Sequence, residues 1–319
     1  MKCIICKNER TVDIFSEEHV FPDSIGGTLI IKCVCKECND KLGSSVDNHL
    51  VNHFLIQAQR QLLKIRGKTG KIPNPLEKAR LSSDLSQEVR YYFDKTGVPK
   101  GLYIVPKIRR TINDDGMESV NIKIDKKDKD KLPSIINKMR QRKGLPKLTR
   151  DEIEKQIQEG FDPSPRITLK HEIDIIQFRR AILKIAYELA YYWLGQGYLE
   201  DKDGEMIRKC MLDNNLQDEF YLQYPIKGSI DVIGKRSRYP MWDNEPYCHI
   251  AFLMKVDEKI WCYVRVFHTF EGLIEVSNNA SRYLNYCDKF ISINPLTGTK
   301  RESDLSEEFY RIYRNEKKI

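Results

Sequence analysis

With 319 residues, 40% of them apolar and 31% charged, the chain is long enough for two globular domains with real cores. No apolar run approaches the ~18 residues of a membrane span, and the opening MKCIICKNER carries no secretory apolar stretch; no membrane partner is expected, and a reducing cytoplasmic location is. The net charge of +8 is uneven, with 26 Lys and Arg against 15 Asp and Glu between Arg60 and Arg166 and a net of −3 elsewhere. That excess suits a phosphate backbone and equally a solvated basic face, and charge alone does not choose between them.

In chain order, residues 1–66 read as a small head. A Gly26-Gly27 turn leads into a β-prone run from Thr28 to Val34, and Val46, Leu50, Phe54, Leu55, Ala58, Leu62 and Ile65 recur on one face of a helix predicted from Ser45 to Ile65. Ser44 with Asp47 resembles a capping box for its start. Residues 67–88 have linker composition, and 89–319 form a second, larger α+β region whose role is open between DNA positioning, oligomerisation (a homo-oligomer is one option) and sensing. Within it, Val89–Phe93, Leu102–Lys107 and Val120–Ile124 alternate as strands. Leu132–Lys143 and Arg150–Gln158 read as charged surface helices, the second capped by Thr149 and Glu152. The strongest helix runs from about Ile173 to Leu194 with a core face of Ile176, Ala181, Ile182, Ile185, Leu189 and Trp193. Antiparallel strands follow at His249–Val256, Ile260–Phe267 and Leu273–Val276, then a final amphipathic helix at Ser303–Arg314.

Nine cysteines in a reducing compartment point to metal ligands and buried thiols rather than disulfides. Cys3-Ile-Ile-Cys6 and Cys35-Lys-Glu-Cys38 are two knuckles, each able to place two thiolates on one tetrahedral Zn²⁺. The 28 residues between them exceed the common spacing, so something is built inside the loop. Cys33 reads as a strand residue, and Cys210, Cys248, Cys262 and Cys287 as packing residues.

Inside the loop lies Ser16-Glu17-Glu18-His19-Val20-Phe21-Pro22, then Ile25-Gly26-Gly27, and the second knuckle continues as Cys38-Asn39-Asp40-Lys41-Leu42-Gly43. In this combination residues 3 to about 55 resemble the HNH endonucleases, in particular their treble-clef zinc group. The resemblance implies a ββα-metal fold that hydrolyses nucleic-acid phosphodiesters, leaving 5′-phosphate and 3′-hydroxyl ends. It makes His19 the general base for water, and Glu18 and Asn39 the ligands of one catalytic divalent ion, Mg²⁺ or Mn²⁺. Asp47 becomes an additional ligand or orienting residue. The chemistry asks for these types: imidazole titrates near neutrality, and a hard cation on oxygen ligands offsets phosphate charge while thiolates take zinc.

One departure stands out. Where such sites carry a middle Asn that orients the histidine, this chain has Leu29-Ile30-Ile31-Lys32, so the group orienting His19 has to come from elsewhere. Lys41 is open to phosphate contact or plain solvation, and His49 with His53, four apart, to metal binding or a polar helix face. Arg109-Arg110 and Lys138–Lys143 are further basic stretches that a nucleic-acid backbone would suit. The expected activity is therefore metal-dependent DNA hydrolysis, with a bacterial defence role by architectural analogy. A catalytically decayed zinc-stabilised nucleic-acid-binding module and an RNA-directed nuclease are the alternatives.

Overall fold

The computed structural model describes residues 1–77, 79–96, 98–114, 116, 118–160, 165–170, 174–213, 227–233, 237–283 and 288–316. It is a mixed helix-and-strand protein in two compact units, Met1–Pro73 with Glu172–Ile319, and Asn74–His171. This division differs from the boundaries at 66 and 88 drawn from composition. The reason is physical: the apolar face of the N-terminal segment is covered by a helix more than a hundred residues downstream, which no local pattern reveals.

The chain begins with strands β1 (Phe15–His19) and β2 (Ile30–Cys35), paired antiparallel with Glu18 opposite Ile31 and His19 opposite Ile30. Helix α1 (Lys36–Leu42) follows β2 directly and runs through a π turn, Gly43–Asp47, into α2 (Asn48–Val51). The expected helix start at Ser44 and Asp47 is therefore not a start. Ser44 Oγ instead donates back to the carbonyls of Asp40 and Lys41 within a continuing helix. The expected single helix to Ile65 is also broken, because His53 takes an extended conformation and caps α3 (Phe54–Leu63) by accepting from the Leu55 amide.

The second unit holds β3 (Ala79–Leu81), β4 (Asp84–Phe93), β5 (Pro99–Ile104), a separate hairpin of β6 (Lys107–Ile112) and β7 (Glu118–Lys123), helices α4 (Leu132–Arg142) and α5 (Arg150–Glu154), and β8 (Ile167–Thr168). The strand expected from Leu102 to Lys107 ends at Ile104, since Pro106 offers no amide to a ladder. The Thr149–Glu152 capping box of α5 is present. The four-stranded sheet runs β5-β4-β3-β8 over a small core of Ala79, Leu81 and Val89.

The chain then returns to complete the first unit with α6 (Ile175–Leu194), α7 (Lys202–Leu212), strands β9 (Gly228–Val232), β10 (His249–Val256), β11 (Lys259–Val266), β12 (Phe270–Ser277), β13 (Lys289–Ile293) and β14 (Lys300–Asp304), and helix α8 (Leu305–Glu316). The six strands form one antiparallel sheet in the order β14-β13-β10-β11-β12-β9. Every residue of α6 from Ala181 to Ala190 is buried, because one side packs on β11 and β12 and the other on α2 and the π turn. Ile4, Val20, Phe21, Ile25, Val46, Leu50, Leu183, Ile185, Leu189, Val264 and Ile274 thus belong to one continuous core. Cys210, Cys248 and Cys262 are buried singly, as packing residues should be; Cys287 and Ile173 lie outside the described residues.

A histidine ties the loop after β1 to this sheet. His249 on β10 stacks on Phe21 at 5.1 Å, donates through Nε2 to the Ile25 carbonyl at 2.9 Å, and accepts at Nδ1 from the Phe267 amide at 3.2 Å. Both nitrogens are committed in the neutral ring, and burial pushes its pKa down from 6.5 to about 4. The unfolded chain then binds a proton between pH 6.5 and 4 that the native state does not. Stability from this group is complete above pH 6.5 and declines as the pH falls to 4, by at most about 3 kcal/mol. Urea melts of wild type and His249→Gln are expected to show a stability gap at pH 7.5 that narrows at pH 4.5; a gap independent of pH contradicts the assignment.

Candidate metal centre and the His19 site

The four knuckle cysteines come together. The Sγ atoms of Cys3, Cys6, Cys35 and Cys38 all lie within 4.8 Å of one another, with Cys6 and Cys35 at 4.0 Å. Four thiolates at ~2.3 Å from a tetrahedral Zn²⁺ sit roughly 3.8 Å apart, so the set closes on zinc with small adjustments. Cys35 ends β2 and Cys38 lies in the first turn of α1, which fixes the second pair on two rigid elements. The first pair sits on a turn whose Lys7 adopts φ 60° and returns its amide to the Cys3 carbonyl. The Cys35 amide donates to Cys3 Sγ at 3.4 Å. The downstream helices support this turn from behind: Tyr187 on α6 donates to the Ile4 carbonyl at 2.7 Å, and Arg208 on α7 to the Ile5 carbonyl at 2.6 Å.

Adjacent residues of a strand face opposite sides, and on β1 this separates two neighbours. His19 is half-buried and turns outward, whereas Glu18 is 2% exposed and turns into the protein. His19 Nδ1 lies 3.3 Å from the Gly27 carbonyl. A carbonyl only accepts, so Nδ1 carries the proton and Nε2 keeps its lone pair. Gly27 thus supplies the orienting group that the missing Asn leaves unassigned. The Gly-Gly pair is required by close approach: a Cβ on Gly27 would meet the Phe21 carbonyl oxygen at 1.9 Å, and Gly26 has φ +85° against Pro295. Burial lowers the His19 pKa, opposed by Asp23 and Asp47 and reinforced by Lys184 and Lys68. The imidazole is accordingly neutral and basic near neutral pH.

The inward side of β1 meets a residue that sequence patterns did not single out. Lys184 on α6 is fully buried, and its Nζ lies 2.5 Å from Glu18 Oε1, 3.1 Å from Asp47 Oδ2 and 3.5 Å from Glu188 Oε2, and donates to the His19 carbonyl at 2.8 Å. Burial opposes the ammonium, but the Asp47, Glu188 and Glu18 carboxylates outweigh it and hold the pKa of Lys184 above its ordinary value. Burial raises the pKa of Asp47 and Glu188, and Lys184 only partly offsets this. Asp47 Oδ1 and both oxygens of Glu188 have no hydrogen-bond partner among the described residues. The available signal was Lys184 and Glu188, two opposite charges at i and i+4 in a stretch from Ala181 to Leu194 that is otherwise aliphatic and aromatic.

Each remaining expected site residue has a definite place. Asn39 uses both Nδ2 protons to tie α1 to β1, donating to Ser16 Oγ at 3.0 Å and to the Glu17 carbonyl at 2.8 Å. Lys41 is exposed on α1. His49 is exposed while His53 is buried against Phe178 and Phe270, so the break before α3 removes the shared face that joint metal binding requires. Glu18 Oε1 is engaged by the Lys184 ammonium at 2.5 Å, while Asn39 is tied to Ser16 and Glu17. The thiolate set fits zinc.

Residues 3–55 match the family model described as HNH endonuclease, and this span contains both knuckles, β1, His19, the glycine pair and Asn39. Comparison with curated proteins and with solved structures gave no match. No described helix is long and apolar enough to cross a membrane.

Purified protein is expected to carry one zinc per chain. Cys35→Ser should lose that zinc and lower the melting temperature by more than about 10 °C, because structural zinc supplies folding free energy. Cys262→Ser, remote from the ion, should keep a full complement. Equal zinc contents in the two variants, measured by atomic emission, rule out this centre.

Proposed function

We propose that the protein is a nuclease that hydrolyses DNA phosphodiester bonds, with a zinc-anchored β1-β2-α1 head of the ββα-metal type and His19 as general base. The observation that carries this reading is the His19–Gly27 hydrogen bond, which fixes the tautomer and leaves Nε2 outward on a strand held by the thiolate cluster. Nε2 takes a proton from water as the water oxygen bonds to phosphorus and the P–O3′ bond breaks, the 3′-oxygen departing and taking a proton from solvent; the base contribution is worth roughly 10²–10⁴-fold. Lys68 is exposed, and its charge bears on the imidazole, so it supplies positive charge near the phosphate. Asn39 positions β1 through Ser16 and Glu17. Lys41 is assigned to phosphate contact, with 5′-phosphate and 3′-hydroxyl products expected from the family likeness. In this reading Glu18 is not a metal ligand, because Lys184 already engages it.

A second reading has a specific observation behind it. The engagement of Glu18 by Lys184, together with the absent middle Asn, suits a zinc-stabilised module that binds nucleic acid without cutting it.

Incubating plasmid DNA and a structured RNA with the protein, in Mg²⁺, in Mn²⁺ and without either, separates these readings. DNA cleavage is expected, reduced at least about 10²-fold in His19→Ala with zinc content and melting temperature unchanged. Cleavage of RNA alone reassigns the substrate. Binding by both proteins with cutting by neither establishes the non-catalytic module.

A further inference from the structure

We infer that Lys184 is a built-in cation of the β1 site: its ammonium holds the position among Glu18, Asp47, Glu188 and the His19 carbonyl that a divalent ion ligated by Glu18 would need. The inference deepens the nuclease reading of β1, on which its catalytic meaning rests, and its test needs no cleavage.

Four oxygens surround Nζ, at 2.5, 2.8, 3.1 and 3.5 Å. An ammonium has three protons to give. The three nearest oxygens take them, and Glu188, fully buried and at the longest distance, is left with the ion pair to Nζ and no hydrogen bond among the described residues. These are hard oxygen donors of the type divalent ions take, spread more widely than the roughly 2.0–2.6 Å of a metal shell and engaged here by an ammonium. Ammonium and metal ion exclude one another there, since a divalent ion bound to Glu18 at about 2.1–2.6 Å would occupy the space of Nζ. Lys184 shows no solvent exposure and is held inside a fully packed helix, so it cannot swing out to make room. Withdrawing it would leave three buried carboxylates uncompensated, which is strongly unfavourable.

The roles around β1 change in two ways. Glu18 acts through Lys184, not through a metal bond, and Lys184 is a positioning residue because one of its protons goes to the backbone of His19 itself. The histidine is thereby placed from both ends, by Gly27 through its ring and by Lys184 through its carbonyl.

The test uses the full zinc-loaded chain in buffer passed over a chelating resin. Lys184→Ala opens a cavity lined by three carboxylates, and its melting temperature is expected to fall by on the order of 10 °C. Adding Mn²⁺ should recover at least half of that loss, with one Mn²⁺ bound per chain beyond the wild-type count, and Glu18→Gln in the same background should abolish the recovery. Lys184→Ala/Glu188→Gln removes one carboxylate with the ammonium and reads the same excess Mn²⁺ if the single variant does not fold. A response to Mn²⁺ no greater than wild type in the folded variant overturns the inference. So does a Glu18→Gln single variant that keeps its fold and zinc but binds Mn²⁺ more than 10-fold more weakly than wild type. Plasmid cleavage by the wild type, measured in parallel, keeps the two ideas apart: absent cutting with intact Mn²⁺ recovery defeats the nuclease reading alone.

Discussion

A lysine with no water around it has to be surrounded by anions, and the arrangement of the first unit is set by satisfying Lys184. The desolvation penalty of a buried ion is several kcal/mol, so such a charge persists only where geometry and hydrogen bonding compensate it. Here the compensation comes from three separate pieces of chain: Glu18 and the His19 carbonyl from β1, Asp47 from the π turn, and Glu188 one turn further along α6. One ammonium cannot neutralise three carboxylates, and the raised pKa of Glu188, driven by burial and by its acidic neighbours, is consistent with a proton residing there. Lys184 and Glu188 are shut off from solvent, whereas Asp47 keeps a side-chain exposure of 14%. The cluster also specifies register, because sliding β1 by one residue would turn His19 inward and Glu18 into water.

The same helix explains why the zinc head is not self-sufficient. A segment of some sixty residues buries little surface by itself, and zinc supplies part of the deficit. The rest comes from α6, whose Leu183, Ile185 and Leu189 share one core with Ile4, Val46 and Leu50. Polar contacts show the same division of labour. Tyr187 and Arg208 satisfy the carbonyls of the first knuckle, and Arg180 reaches the Ser45 carbonyl in the π turn. The six-stranded sheet underlies α6 on its other side, so the position of β1 is set against a wall and not against a flexible neighbour.

Local signals carried the cysteine cluster and the strand that bears His19, and long-range ones were silent. Two Cys-x-x-Cys pairs, Glu-His-Val-x-Pro and Gly-Gly are each contained in a few residues, and their spacing reflects requirements of turn geometry that a sequence displays directly. The helix at Ile175–Leu194 and strands β10 to β12 were legible for the same reason, since their periodicities are strong. The partner of Glu18 lies 166 positions away, and nothing near either residue announces the other. Adjacency also misled. Glu18 and His19 are neighbours in the chain, which suggests convergence on one phosphate, but the two-residue period of a strand sends them to opposite faces. The helix drawn through His49 and His53 failed for a comparable reason: a histidine able to cap the next helix competes with the periodic pattern around it.

The outward face of β1 becomes suited to proton transfer because His19 is fixed at three levels of distance. Its ring is held by Gly27 at 3.3 Å, and its own carbonyl by Lys184 at 2.8 Å. The loop between His19 and Gly27 is held by His249, which clamps the Ile25 carbonyl and stacks on Phe21. Gly27 can present its carbonyl only because it has no side chain to collide with Phe21, and Phe21 is in place because of His249. In the proposed role of His19 as base, the Gly27 carbonyl does the orienting that a middle Asn would otherwise do, since Leu29–Lys32 offers none. Catalytic groups act best when held by packing before substrate arrives; a chain that spends two buried histidine hydrogen bonds, a buried lysine and a glycine pair on one imidazole has the construction of a pre-organised site.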